Sequence, residues 1–358
     1  MTETATATPR EQVAAQLKAI ENANVLVKVM TTRAAIAQTP KELIWTLNKA
    51  KLYRYVPRVA SENRHRVPIL LVFALINRPY ILDLRPGNSF VEYLVDRGYD
   101  VYLLDWGVPG PEDKHLKLDD YVLDYMTRAL RKVKAVSGSE EFTLLGWCIG
   151  SILSTIYAAL RPDDGLRNLI LLTAPLDFSD KQQITFARWM AEINIDKVVE
   201  HFGNIPAEMI EYGARALKPV ENYIGNYMRL WENLDNPQVI ESWHAMNTWV
   251  TDNIPMAGEA GRQLMVNLYR KNELINNQLE IRGETVNLGR IKASLLNVIA
   301  DKDHIAPPCQ SESIMEKVGS TDKNLVRVSG GHIGIMTGSR AIKGTWPQLD
   351  QWLGKRSD

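Results

Sequence analysis

Gly146-Trp147-Cys148-Ile149-Gly150 places a thiol between two glycines, with an apolar run, Phe142-Thr143-Leu144-Leu145, before it and a helical pattern, Ile152 to Leu160, after it. A chain that turns sharply from strand to helix needs small residues where helix and strand approach each other, and Gly146, Gly150 and Ser151 meet that need. The turn lifts the Cys148 sulfur to the top of a sheet and aims backbone N–H groups at the same point. Thiolate chemistry on an acyl group follows from such an arrangement. A lone apolar cysteine can also be core filler, but the flanking glycines and the strand–helix context favour the nucleophile.

A cysteine nucleophile needs a base. Of the six histidines, His65, His115, His201, His244, His304 and His332, the last stands in a glycine turn, Ser329-Gly330-Gly331-His332-Ile333-Gly334, just after the apolar run Asn324–Val328. The third member is an acid after the preceding strand. Leu295–Ala300 runs into Asp301-Lys302-Asp303-His304, so the order nucleophile, acid, histidine is intact with either Asp301 or Asp303, and spacing does not choose between them. One of the two is a turn former. Two oxyanion donors are expected from backbone N–H groups: Ile149, directly after the sulfur, and the loop around Ile76 and Asn77 after the first strand. Losing one such donor typically costs about 3 kcal/mol of barrier lowering. Cys309, beside Pro307 and Pro308, reads as structural.

The elements that must hold these groups follow from pattern. Strand candidates Pro68–Ala74, Val101–Asp105, Phe142–Leu145 and Asn168–Thr173 alternate with helix candidates Ser89–Arg97, Asp119–Val136 and Cys148–Leu160; the sheet resumes with Ala293–Ala300 and Lys323–Val328, and a helix from Thr345 to Leu353 ends the pattern. Short buried strands alternating with helices predict an α/β fold, a mostly parallel sheet with helices on both faces. The division expected is 1–60, a helical segment carrying an apolar stripe (Val13, Leu17, Ile20, Val25, then Leu43, Ile44, Leu47, Leu52); 61–177, the first part of the sheet domain; 178–289, an inserted helical cap broken at Pro206, Pro219, Pro237 and Pro255; and 290–358, the second part of the sheet domain. The tryptophans Trp189, Trp231, Trp243 and Trp249 of the cap are candidates to exclude water from the thiol.

The 358 residues hold 42 basic and 42 acidic side chains, so charge makes no case for nucleic acid or an anionic membrane surface. The 45% hydrophobic content is ample for a core. Two cysteines make no disulfide framework or zinc pattern, no dinucleotide, P-loop or metalloprotease motif occurs, and no cofactor or metal is expected. The polar start, Met1 to Gln12, lacks the apolar block of a signal peptide, and the run Val67–Ile76 is too short to span a bilayer. The expectation is a soluble protein of a reducing cytoplasm with no membrane span.

Further motifs accompany the thiol: Asn77-Arg78-Pro79-Tyr80-Ile81-Leu82-Asp83-Leu84, Leu104-Asp105-Trp106-Gly107, Thr173-Ala174-Pro175-Leu176-Asp177-Phe178, Asn247-Thr248-Trp249-Val250-Thr251-Asp252-Asn253-Ile254-Pro255, Asp303-His304-Ile305-Ala306-Pro307-Pro308 and Gly330-Gly331-His332-Ile333-Gly334. With this set, over about residues 40 to 355, the chain resembles the polyhydroxyalkanoate (poly-3-hydroxybutyrate) synthases, and specifically the short catalytic subunit of the two-subunit (class III/IV) type. The resemblance implies an α/β-hydrolase fold with a helical cap and an acyltransferase that polymerises (R)-3-hydroxyacyl-CoA into polyester with release of CoA. It implies Cys148 as the nucleophile carrying the growing chain, His332 as the base, Asp303 rather than Asp301 as the acid because it stands in the Asp-His-x-x-Pro motif, and His304 as a supporting residue. Ser151 departs from the pattern, where the family usually has a second glycine; a hydroxymethyl there tightens helix packing. The resemblance further implies a small helical partner subunit, a homodimer, and a place in the cytoplasm at the surface of the polyhydroxyalkanoate granule. The readings that compete with it are a thioesterase or polyester depolymerase on the same scaffold, and an inactive granule-surface scaffold protein.

Overall fold

The computed structural model describes residues 8–180, 188, 190, 192–217 and 224–358. The frame that carries the thiol is one sheet of eight strands: β1 (Lys41–Leu47), β2 (Ala50–Tyr55), β3 (Ile69–Val72), β4 (Val101–Asp105), β5 (Phe142–Trp147), β6 (Leu166–Leu172), β7 (Ser294–Ala300) and β8 (Lys323–Val328). Their spatial order is β1-β2-β4-β3-β5-β6-β7-β8. From β4 to β8 every neighbouring pair is parallel, with Val72 opposite Gly146 and Val298 opposite Leu172; β1 and β2 are antiparallel to each other, and β2 is antiparallel to β4. β3 and β5 are buried at every residue, and neither contains a charged side chain. Strands this apolar require cover on both faces. A serine-capped helix, α2 (Phe90–Asp96), joins β3 to β4, α3 (Thr127–Ser137) joins β4 to β5, and α4 (Ile149–Leu160) joins β5 to β6. The α4 helix is buried along its whole length, as its composition, IGSILSTIYAAL, requires.

The sequence expectation of an all-helical stretch over 1–60 is corrected by the structure. Among the described residues of that stretch only α1 (Pro9–Thr31) is helical; it opens with a capping box, in which Thr8 and Glu11 cap each other and proline is the first helical residue. Residues 41–55 form the β1–β2 hairpin instead. The apolar spacing Leu43, Ile44, Leu47 imitates a helix because a bulge between Leu43 and Trp45 breaks the two-residue alternation that marks a strand. The turn signal is Asn48, which takes φ +51°, a conformation asparagine tolerates better than most residues.

Between β6 and β7 the chain leaves the sheet and folds largely as helices: α5 (Ile195–Phe202), α6 (Ala207–Ala216), α7 (Asn226–Glu232), α8 (Pro237–Thr251) and α9 (Gly258–Gln263), followed by a wider helical turn over Leu264–Arg270. Its prolines delimit these helices. Pro206 caps α6, Pro237 opens α8 behind the Asn236 cap, and Pro255 follows the end of α8; Pro219 lies outside the described residues. A second apolar cluster joins α1 to this region through Val29, Leu230, Leu234 and Trp243. The helix α10 (Trp346–Gly354) packs back on the sheet domain through Trp346, Leu349 and Leu353.

Candidate active site

Parallel strands end together, so the residues that follow β5, β7 and β8 meet at one edge of the sheet. Cys148 follows β5 directly. Its backbone takes φ +56° and ψ −122°, a strained conformation for a side chain with a Cβ. The glycines make the turn possible. A Cβ on Gly146 would stand 2.6 Å from Ser151 Cα, and one on Gly150 would collide with the Val72 carbonyl oxygen of β3. The strain is held in place by hydrogen bonds: the Cys148 N–H donates to Leu172 O of β6 at 3.1 Å, and the Ser151 N–H donates to Cys148 O at 2.9 Å. The Ser151 hydroxyl, fully buried, reaches Gly146 O at 2.7 Å and Leu172 O at 3.2 Å.

Asp303 and His332 come together as the motif order requires. His332 Nδ1 lies 2.7 Å from Asp303 Oδ2, and both side chains are buried. The other carboxylate oxygen accepts from the backbone N–H groups of Ile305 at 2.8 Å and Ala306 at 2.9 Å. Asp301 is exposed and does other work: its Oδ1 accepts from the Gly330 N–H at 2.9 Å, which ties the loop after β7 to the glycine loop that carries His332. With Nδ1 turned toward Asp303, the ring presents Nε2 on its other side. Burial works against charging this ring, but the Asp303 carboxylate and, after it, the Cys148 sulfur outweigh burial and hold His332 well above the ordinary histidine value. Carboxylate, ring and sulfur are thus coupled electrostatically.

Ile149 is the first residue of α4, where helix N–H groups lack intrahelical partners. Ile76 and Asn77 lie on the loop leaving β3, the strand beside β5. That loop is fastened to the end of α8. Ile254 N–H donates to Ile76 O at 3.1 Å, the Asn77 side-chain amide donates to Asn253 Oδ1, and Trp249 Nε1 donates to Arg78 O at 2.7 Å. Arg78 and Tyr80 both engage Asp252, at 3.3 and 3.1 Å. The helical region thus holds the loop expected to carry the second oxyanion donor.

Of the three described tryptophans named for excluding water, Trp249 is the one whose surroundings reach the site; its ring lies 6.3 Å from Phe73, which in turn packs edge-on against Trp147 at 5.1 Å. Trp231 is exposed and Trp243 belongs to the α1 cluster, while Trp189 lies outside the described residues. His304 sits half-buried beside Asp303. Cys309 is half-buried, and burial, with the Asp180 carboxylate, pushes its thiol up, which suits a structural residue. Sequence reasoning missed Tyr269, a buried residue of the Leu264–Arg270 turn whose hydroxyl is pushed up by burial and by the charge of Cys148, and whose ring packs on Phe178 at 4.3 Å. A tyrosine in a helical stretch carries no signal that separates it from ordinary core. Among the described residues no cluster of metal-binding side chains occurs, and no helix is long and apolar enough to cross a membrane.

Comparison with known proteins gives two family matches: the alpha/beta hydrolase fold over residues 79–339, and the poly-beta-hydroxybutyrate polymerase (PhaC) N-terminus over residues 13–94. A poly(3-hydroxyalkanoate) polymerase subunit PhaC from Haloferax mediterranei is 38% identical over 329 residues, 91% of this chain; the chain spans 66% of that relative's length. The subunit of the same name from Allochromatium vinosum is 34% identical over 318 residues, 89% of each chain. Among solved structures, a monoglyceride lipase from Saccharomyces cerevisiae superposes with a TM-score of 0.53 at 16% identity, covering 92% of this chain and 98% of that one. A monoacylglycerol lipase from Paleococcus ferrophilus gives 0.52 at 18% identity, covering 87% and 100%. At such identity the lipases share the fold alone.

Proposed function

The chain belongs to the poly(3-hydroxyalkanoate) polymerase PhaC family, an enzyme family on the alpha/beta hydrolase fold, and from that premise we propose that it polymerises (R)-3-hydroxyacyl-CoA while carrying the growing chain as a thioester on Cys148. The observation that carries the reading is the buried His332–Asp303 contact of 2.7 Å beside a thiol on a strained elbow.

At the start of the cycle the His332 imidazolium holds, on Nε2, the proton it shares with Cys148, and the thiolate attacks the acyl carbonyl. Backbone N–H groups at Ile149 and in the Ile76–Asn77 loop hold the developing oxyanion. The coenzyme A thiolate leaves and takes the proton back from the imidazolium, so one thioester replaces another at nearly equal free energy. In the second step His332 accepts the proton of a 3-hydroxyl, whose oxygen attacks the acyl group on Cys148. An oxoester forms, and the released thiolate is ready for the next cycle. The oxoester is less activated than the thioester, so elongation runs downhill. A serine would have lost that drive on loading. Both oxygens of Asp303 are already engaged, one by His332 and one by two backbone N–H groups, which favours an orienting role over direct contact with the substrate hydroxyl.

The helical region over residues 178–289 acts as a cap in this account, and access to the sulfur requires its movement. A small helical partner subunit, a homodimer and residence at the granule surface complete the proposal; they rest on the family resemblance. Family membership argues against hydrolysis as the main activity. The test is purified protein with (R)-3-hydroxybutyryl-CoA: turbidity with CoA release is expected, and a clear solution that accumulates free hydroxy acid would overturn the polymerase reading.

A further inference from the structure

Ser151, the position at which the resemblance implies a glycine, carries the side chain that closes the elbow. Ser151 is fully buried, and its hydroxyl oxygen lies within reach of two carbonyls, nearer Gly146 O at 2.7 Å than Leu172 O at 3.2 Å. Gly146 stands two residues before Cys148 and Ser151 three after it, so the hydrogen bond spans the strained residue from one side to the other. Leu172 O also accepts the Cys148 N–H at 3.1 Å. The end of β5, the end of β6 and the first turn of α4 are therefore stitched together around Cys148. A φ of +56° at a residue with a Cβ costs about 1–3 kcal/mol and persists only where neighbouring bonds over-determine it. The hydroxyl supplies such a bond, and a glycine at this position could not. The contrast with the same helix one turn further on is sharp. Ser154 and Thr155 are equally buried, yet their hydroxyls find no partner among the described residues.

We propose that Ser151 is a positioning residue: its hydroxyl clamps the elbow and fixes the Cys148 sulfur and the Ile149 N–H relative to His332. The clamp acts on attack geometry rather than on substrate binding, because Ser151 is itself fully buried and both partners of its hydroxyl are backbone carbonyls at strand ends. The inference rests on the reading of Cys148 as the acyl carrier.

The experiment compares Ser151→Ala with Ser154→Ala, which removes a buried hydroxyl from the same helix without touching the elbow. The readouts are the rate of Cys148 acylation by (R)-3-hydroxybutyryl-CoA, kcat and KM separately, and the rate of Cys148 alkylation by iodoacetamide. Small errors in placement are costly for positioned reactants, so Ser151→Ala should lose about tenfold or more in acylation rate and kcat with KM within about twofold of the parent. Ser154→Ala should keep its rate. Equal rates in the two variants, or a loss confined to KM, would overturn the clamp. If Ser151→Ala does not fold, Ser151→Gly removes the same hydroxyl and is read in the same way. Should the unmodified protein show no acyl adduct on Cys148, the acyl-carrier reading itself falls; the alkylation rates still report whether Ser151 positions the thiol.

Discussion

The elbow and the helical excursion are built on opposite principles. Around Cys148 the chain leaves no room: α4 is buried throughout, glycines stand where any Cβ would clash, and the turn is fixed by hydrogen bonds within the elbow and to the end of β6. The excursion between β6 and β7 leaves large apolar side chains in solvent, among them Phe202, Tyr212, Met228 and Trp231. Among its described residues it meets the site where α8 joins the loop after β3 through polar contacts that are partly exposed, and again at buried Tyr269, which feels the charge of Cys148. The difference separates two tasks. Chemistry demands placement to a fraction of an ångström, which a packed sheet edge supplies; admission of a large substrate and release of a polymer demand parts that can move against that edge.

The sharpest way to break the contrast is to overfill the elbow. Gly150→Ala drives a methyl into the Val72 carbonyl, and we expect destabilisation of about 3 kcal/mol or more, read as a fall in the urea midpoint or in soluble yield. Wild-type stability in that variant would mean that the elbow is loose. The next largest effect separates the two aspartates. Asp303→Asn should lower kcat roughly 10³- to 10⁴-fold by disturbing the His332 ring, whereas Asp301→Asn, whose amide oxygen can still accept from Gly330 N–H, should stay within about twofold. Equal losses in the two variants would remove the distinction.

A third test uses charge. The His332 value is raised in the folded protein, so its protonation contributes stability that is fully present below the ordinary histidine value of about 6.5 and is lost as pH rises through the raised folded-state value. Ring ¹⁵N NMR should show His332 doubly protonated at pH 7.5 and its titration moved to lower pH in Asp303→Asn. A ring already neutral at pH 7.5 in the parent would contradict the electrostatic coupling. The smallest effect is expected in the excursion. Trp231→Ser, at a position 44% exposed, should change unfolding free energy by no more than about 0.5 kcal/mol, and a larger loss would show that this surface is packed after all.

What could be read in advance follows the same division. The strands of the sheet were legible because short apolar runs bounded by turns have few alternatives, and the thiol, the acid–histidine order and the loops after β7 and β8 came with them. The choice between Asp301 and Asp303 was not available from spacing, since both stand in one loop; the family motif favoured Asp303, and the fold gives it the contact with His332 while Asp301 ties two loops together. The β1–β2 hairpin was misread because a bulge erased its alternation. The prolines of the excursion were legible as breaks, and the three that are described, Pro206, Pro237 and Pro255, stand at helix boundaries. Ser151 was visible as an oddity, but its role depends on two carbonyls that only the folded elbow brings within reach.

The most direct test of the whole account is intact-protein mass spectrometry after brief exposure to (R)-3-hydroxybutyryl-CoA, with peptide mapping of the adduct. The account predicts one or more hydroxybutyryl units in thioester linkage on Cys148, released by hydroxylamine and absent from Cys148→Ala. Polymer formed by Cys148→Ala, or an adduct that maps elsewhere in the active parent, would contradict it.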